Sequence, residues 1–230
     1  MALDEPTRLH EEDPFTAVWT YVADNRVVVD RSRFEVDVNR PREGAIYLLP
    51  DQAWGIQPWR RPPPDEVVTV SLAEYDRFYE RMEELLADLV ARHGGFVVYD
   101  IHSYNHRRGG PAGDEAPPSQ NPQINLGTAN LDRERWTPVI EAFLTAIRGA
   151  TLGGLPIDAR ENVRFRGGHF SRWVADRFGQ VGCALAVEVK KTFMDEWSGE
   201  PDWRAIGEVG AALRSTVDPV VTALLHEVLP

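Results

Sequence analysis

Leu72, Tyr75, Tyr79, Met82, Leu86 and Leu89 recur at the spacing of one helical face. Ser71-Leu72-Ala73-Glu74 matches a capping box, so the predicted helix opens at Ser71, and Gly94-Gly95 closes it. Phe96 to Ile101 follows as a strand, and Val181 to Val189 reads as a second buried strand. Val27-Val28-Val29 and Phe34 to Val38 read as short strands. The latter alternates, with Phe34, Val36 and Val38 on one face and Glu35, Asp37 and Asn39 on the other. Trp136, Val139, Ile140, Phe143, Leu144 and Ile147 predict another helix, its regular part beginning near Thr137 with Pro138 in the first turn. His169 to Phe178 reads as a short helix closed by Gly179, and Asp202 to Val228 as a final amphipathic helix. Strands that are apolar throughout, separated by helices, predict a parallel sheet covered on both faces. Two stretches lack periodicity: residues 41–66, rich in proline and carrying Trp54 and Trp59, and residues 104–128, rich in Gly, Pro, Asn and Ser. A loop of about 25 residues in a compact domain is often functional.

The chain's 230 residues predict a single domain, and 43% hydrophobic with 27% charged residues fits a soluble globular protein. No apolar run reaches the roughly 18 residues of a transmembrane helix, and the first residues lack the basic and apolar regions of a signal peptide. The lone Cys183 excludes an internal disulfide. Its apolar surroundings make it a core residue, and the expected location is a reducing cytoplasm. A net charge of −11 argues against nucleic-acid or anionic-membrane partners. It leaves room for an acidic small molecule held by local arginines.

Candidate chemistry lies where the apolar runs end. Val97-Val98-Tyr99-Asp100-Ile101-His102-Ser103 stops in Asp-x-His-Ser, and ligands gather beyond the carboxyl ends of parallel strands. His102 could hold a metal or move protons, with Asp100 on the same face to orient it; the plain alternative is a hydrogen-bonded strand-end histidine. Glu188 ends an apolar strand, where a carboxylate is costly to bury unless it has a role or a partner, and Lys190 and Lys191 offer a simple ion pair. Arg40 could fork onto a substrate carboxylate with Asn39 beside it and Asp37 holding the arginine, or form a surface salt bridge. His10-x-x-Asp13 has a metal-like spacing, although Glu11, Glu12 and Asp13 also suit a solvated helix end. Gly167-Gly168-His169 could bring backbone N–H groups to an anion or could simply turn the chain. His106, Arg107 and Arg108 are loop cations, near the site or merely solvated.

Asp37-Val38-Asn39-Arg40-Pro41, Asp100-Ile101-His102-Ser103, Gly167-Gly168 and Glu188, in this order, resemble the N-formylglutamate amidohydrolase family. More distantly they resemble the aspartoacylase and zinc-carboxypeptidase group. The resemblance spans roughly residues 8–200. It implies a three-layer αβα sandwich with a mostly parallel mixed sheet, like zinc carboxypeptidases and the phosphorylase/hydrolase folds. It implies one Zn²⁺ per chain and hydrolysis of the amide of a small N-acyl amino acid with a free carboxylate, such as N-formylglutamate. By the same resemblance His102 is a zinc ligand, with Asp13, or next Glu12, as the acidic ligand. Glu188 is the general base and acid, and Arg40 with Asn39 is the carboxylate clamp. Asp37, Asp100, Gly168 and His169 support them.

One departure stands out. The family carries a histidine-bearing strand near its start, and only His10 precedes the acidic cluster here. The favoured expectation is that residues 1–230 lack an N-terminal strand because Met1 is internal to a longer protein; the alternative is that His10 substitutes. Two other functions remain open. One is a carboxypeptidase-like or other acyl-amide hydrolase on the same fold, with specificity residing in residues 104–128 and around Trp54 and Trp59. The other is a metal-free pseudoenzyme that binds small carboxylates.

Overall fold

A computed structural model describes residues 2–228. A short helix, α1 (Glu5–Glu11), leads through turns to the long helix α2 (Asp65–His93). Next come β1 (Phe96–Tyr104), β2 (Ile124–Gly127) and α3 (Arg133–Arg148), followed by a small hairpin of β3 (Thr151–Leu152) and β4 (Leu155–Pro156). The chain closes with β5 (Ala159–Glu161), α4 (His169–Phe178), β6 (Gly182–Lys190) and α5 (Trp203–Val228). The main sheet has the order β1-β6-β2-β5. β1 runs parallel to β6, β2 runs parallel to β5, and β2 and β6 are antiparallel. The sheet is therefore mixed and mostly parallel.

The period of two along β6 divides the core. Cys183, Leu185, Val187 and Val189 pack with Trp136, Ile140 and Phe143 of α3 and Ile206, Val209 and Leu213 of α5. Ala184 faces the other way, with Phe96 of β1, Met82 and Leu86 of α2, and Phe170 and Val174 of α4. Helices thus cover both faces, in an αβα sandwich. Along the free edge of β1 runs an apolar groove of about 590 Å³, walled in part by Val27–Val29, Met82, Leu86, Val220 and Leu224.

Several expected elements are revised. Val27–Val29 and Phe34–Val38 are not strands. The backbone of the second segment closes turns instead: Glu35 and Val36 N–H donate to Ser32 O, Arg40 N–H donates to Asp37 O, and Asp37 N–H reaches Ala45 O. Its alternation arises because Phe34 and Val36 are buried in two small clusters, with Tyr47 and Ala53 and with Ala45 and Tyr75. Helix α2 begins at Asp65, not Ser71, which is buried within it. Pro64 caps it, and Asp65 and Glu66 favour its positive end; Val67 and Val70 of this first part are exposed and give no apolar stripe. Helix α3 begins at Arg133 because the Asp132 side chain accepts from Glu134 and Arg135 N–H at 3.1 and 3.4 Å, which leaves Pro138 inside the helix. The supposed loop 104–128 contains the end of β1, a turn at Pro118–Gln120 and β2.

Candidate active site

Strand register brings the polar groups together. His102 on β1 is paired with Glu188 on β6, and Glu188 with Asn125 on β2. All three point to the α2/α4 side, near the carboxyl ends of β1 and β6. The apolar residues around Glu188, Val187 and Val189, point into the opposite core, so the glutamate is the one side chain of that stretch directed at the site.

Burial pushes the Glu188 carboxyl up to about 7, helped by Asp13 and Asp100 and opposed by His102 and Arg33. His102 Nε2 lies 2.9 Å from Asp100 Oδ1 and 3.2 Å from Asn39 Nδ2, and Nδ1 lies 3.4 Å from Asp13 Oδ2. Burial disfavours its charged form, but the charge and hydrogen bonds of Asp100 and Asp13 prevail and hold its pKa well above the ordinary value. Asp13 also accepts from Ser103 N–H at 2.7 Å and Ser103 Oγ–H at 2.8 Å. Burial would raise its pKa, yet His102 and Arg33 keep it low. The second oxygen of Asp100, Oδ2, is buried without a partner.

Asp37 holds Arg33 rather than Arg40. Its Oδ2 accepts from Arg33 Nε at 3.1 Å and Nη2 at 2.8 Å, Tyr47 OH also donates to it, and Oδ1 takes Asn39 N–H at 2.8 Å. Arg33 Nη1 lies 3.9 Å from Asp13 Oδ2 and so links the two carboxylates. The Asn39 side chain accepts Phe170 N–H at 3.0 Å, tying the His102 end of the sheet to the first turn of α4. At Gly168 an added Cβ would lie 2.3 Å from Asn39 Oδ1, so glycine permits this approach. His169 Nε2 sits 3.2 Å from Tyr75 OH, which donates to Arg40 O at 2.9 Å. The Arg40 side chain is exposed at the cavity wall and makes no ion pair among the described residues.

The lysines do not neutralise Glu188. Lys190 Nζ donates to Asn121 O at 3.2 Å, and buried Lys191 donates to His10 O at 2.6 Å and Glu12 O at 2.8 Å. Burial lowers Lys191 to about 8. It fixes the backbone leading to Asp13. Glu12 points elsewhere, accepting from Arg8 at 2.8 Å and from Ser32. His10 faces Glu196 O at 2.8 Å and packs on Trp197 with ring centroids 4.2 Å apart. Of the expected metal ligands, then, His102 and Asp13 come together, and Glu12 and His10 do not join them. The buried His106 is likewise away from Glu188, with its backbone N–H donating to Glu196 at 3.0 Å.

These groups surround a cavity of about 440 Å³ whose wall includes Asp13, Arg40, His102, Arg166, Arg172 and Glu188. Arg33 and Asn125 escaped the sequence reading. Arg33 could have been suspected from its i, i+4 relation to Asp37, whereas Asn125 required recognition of β2.

A carboxyl with a pKa near neutrality, beside a charged imidazole in a cation-rimmed cavity at strand ends, is the equipment of an acid–base hydrolase on an α/β fold. The chain belongs to the N-formylglutamate amidohydrolase family, whose sequence profile matches residues 1–194. It is similar in structure to an N-formylglutamate amidohydrolase from Ralstonia eutropha JMP134, with 14% identity, TM-score 0.67, and coverage of 96% of this chain and 85% of that one. A gene product from Agrobacterium tumefaciens is similar with 18% identity, TM-score 0.63, and coverage of 96% and 83%. At these identities the two likenesses establish the fold. No curated protein matches the chain. Among the described residues no helix is long and apolar enough to cross a membrane.

Proposed function

We propose that this chain hydrolyses the amide of a small N-formyl amino acid, N-formylglutamate being the substrate that the family's description suggests. The observation that carries this reading is the placement of Glu188, half-buried in the cavity wall and paired in register with His102, where desolvation pushes its pKa up to about 7. Such a carboxylate takes a proton from the attacking water and returns it to the departing nitrogen. Water oxygen bonds to the formyl carbon, the C–N bond breaks, and formate and the free amine leave. His102, held charged by Asp13 and Asp100, sets positive charge beside the reacting groups. Arg40, with Asn39 next to it, is the group suited to hold the substrate carboxylate.

Zinc is the cofactor expected from the resemblance, and a catalytic zinc takes three protein ligands and keeps an open position for water. His102 and Asp13 are the donors that would contribute here. Both ring nitrogens of His102 face carboxylates, and no three His, Cys, Asp or Glu side chains among the described residues are grouped to hold a metal. This donor set does not fit a catalytic zinc as it stands, and the roles assigned above involve the chain's own groups alone.

The short donor set favours a second reading, a pseudoenzyme that binds N-acyl amino acids without turning them over. Formate release from N-formylglutamate, measured beside calorimetric binding, separates the two. Release that is lost in Glu188→Gln supports hydrolysis. Binding without release supports the pseudoenzyme.

A further inference from the structure

The strand end that delivers Glu188 to the cavity carries a second charged group three residues later. Lys191 lines the same cavity and is 2% exposed. A buried ammonium is costly unless hydrogen bonds compensate it, and here both acceptors are backbone. Lys191 Nζ donates at 2.6 Å to His10 O, an orphan carbonyl in the last turn of α1. It donates at 2.8 Å to Glu12 O, just beyond the helix end. An ammonium carries three N–H donors on one atom, so it draws both carbonyls to one point. That point is itself fixed, because Lys191 N–H donates to Tyr104 O at 3.0 Å and so locks to the end of β1. Asn105 Nδ2 adds a donor to His10 O at 2.9 Å. The residue that follows is Asp13, whose own carbonyl accepts from Thr16 Oγ–H at 2.8 Å. Its carboxylate lies 3.4 Å from His102 Nδ1 and accepts Ser103 N–H at 2.7 Å.

We propose that Lys191 is a positioning residue for the reaction: by gripping the backbone at His10 and Glu12 it sets Asp13 against His102 and Ser103. The catalytic half of this statement rests on the amidohydrolase reading; the placement of Asp13 does not. Glu188 and the carboxylate beside His102 are then both referenced to the end of β6, so base and imidazole keep their relative places. A role confined to stability predicts something different, a loosening of the whole of β1 when the lysine is lost.

The amide of Ser103 reports on this without any need for turnover. β1 is an edge strand, and Ser103 N–H turns away from β6 to Asp13. Phe96 N–H donates to Val181 O, so alternation directs the Val98 and Asp100 N–H groups to β6. Hydrogen exchange in the wild type and Lys191→Met is read at Ser103 against Val98 and Asp100, beside kcat and KM for N-formylglutamate. In the variant, Ser103 is expected to exchange about tenfold faster or more while Val98 and Asp100 keep their rates. The kcat is expected to fall about tenfold or more with KM within about twofold, the scale of a misplaced catalytic group. Should Lys191→Met fail to fold, Lys191→Gln, which keeps a donor for one carbonyl, is read in the same way. An unchanged Ser103, or all three amides faster together, overturns the positioning role. Ser103 faster alone with undiminished kcat overturns its catalytic half. Ser103 faster alone, in a protein whose wild type releases no formate, supports the placement of Asp13 and overturns the amidohydrolase reading instead.

Discussion

Replacing Glu188 with glutamine should stabilise the fold, and increasingly so as pH rises. The Glu188 carboxyl is raised from 4.5 to about 7 by burial. Below the unfolded value both states hold the proton, and glutamine is a close mimic of the neutral acid. Between the two values the folded state keeps a proton that the unfolded chain has lost, so stability falls as pH rises. Above the folded value the native state carries a carboxylate in a poorly solvated place. The shift corresponds to about 3 kcal/mol at about 1.4 kcal/mol per pKa unit. The cavity admits water and Glu188 is only partly buried, so a gain of about 2 kcal/mol between pH 5 and 8.5 is the figure to look for. Urea unfolding of the wild type and Glu188→Gln at both pH values measures it. A difference between the two proteins that is the same at both pH values, or smaller at pH 8.5, would refute the account of Glu188 as a carboxyl held near neutrality by burial.

Three further outcomes are expected. The kcat/KM for formyl-amide hydrolysis should climb as pH passes through about 7, because Glu188 must lose its proton to act as base; a profile that falls from pH 6 to 8 contradicts that role. Zinc titrated into the chain should bind weakly, with no stoichiometric uptake at micromolar concentration, because His102 and Asp13 supply two donors; tight uptake of one zinc per chain, lost in His102→Ala, would show a donor set beyond the described one. Gly168→Ala should destabilise the protein by about 1–3 kcal/mol in thermal unfolding and reduce activity, since its Cβ would meet Asn39 Oδ1 at 2.3 Å; an unchanged melting temperature would mean Asn39 is free to move.

His102 and Glu188 were legible because each interrupts an apolar run, and a polar side chain in a buried strand is conspicuous against its neighbours. The helices α4 and α5 were legible for a related reason, since their apolar stripes are uninterrupted. Phe34 to Val38 misled because alternation reports two-sided burial, and two small clusters on either side of a turn produce it as readily as a sheet does. β2 was hidden because its four residues lie in a stretch dominated by turn formers, which concealed Asn125. The start of α2 depended on Pro64 and two acids rather than on periodicity. The partner of Asp37 is a tertiary fact: Arg33 and Arg40 are both near in sequence, and only the fold turns Arg33 inward and Arg40 toward the cavity.

Formate release from N-formylglutamate by the wild type and by Glu188→Gln, with folding checked by circular dichroism, tests the central claim most directly. The account predicts measurable turnover in the wild type and a loss of about 100-fold or more in the folded variant, the scale of a removed general base. A folded Glu188→Gln protein that releases formate at the wild-type rate would contradict it.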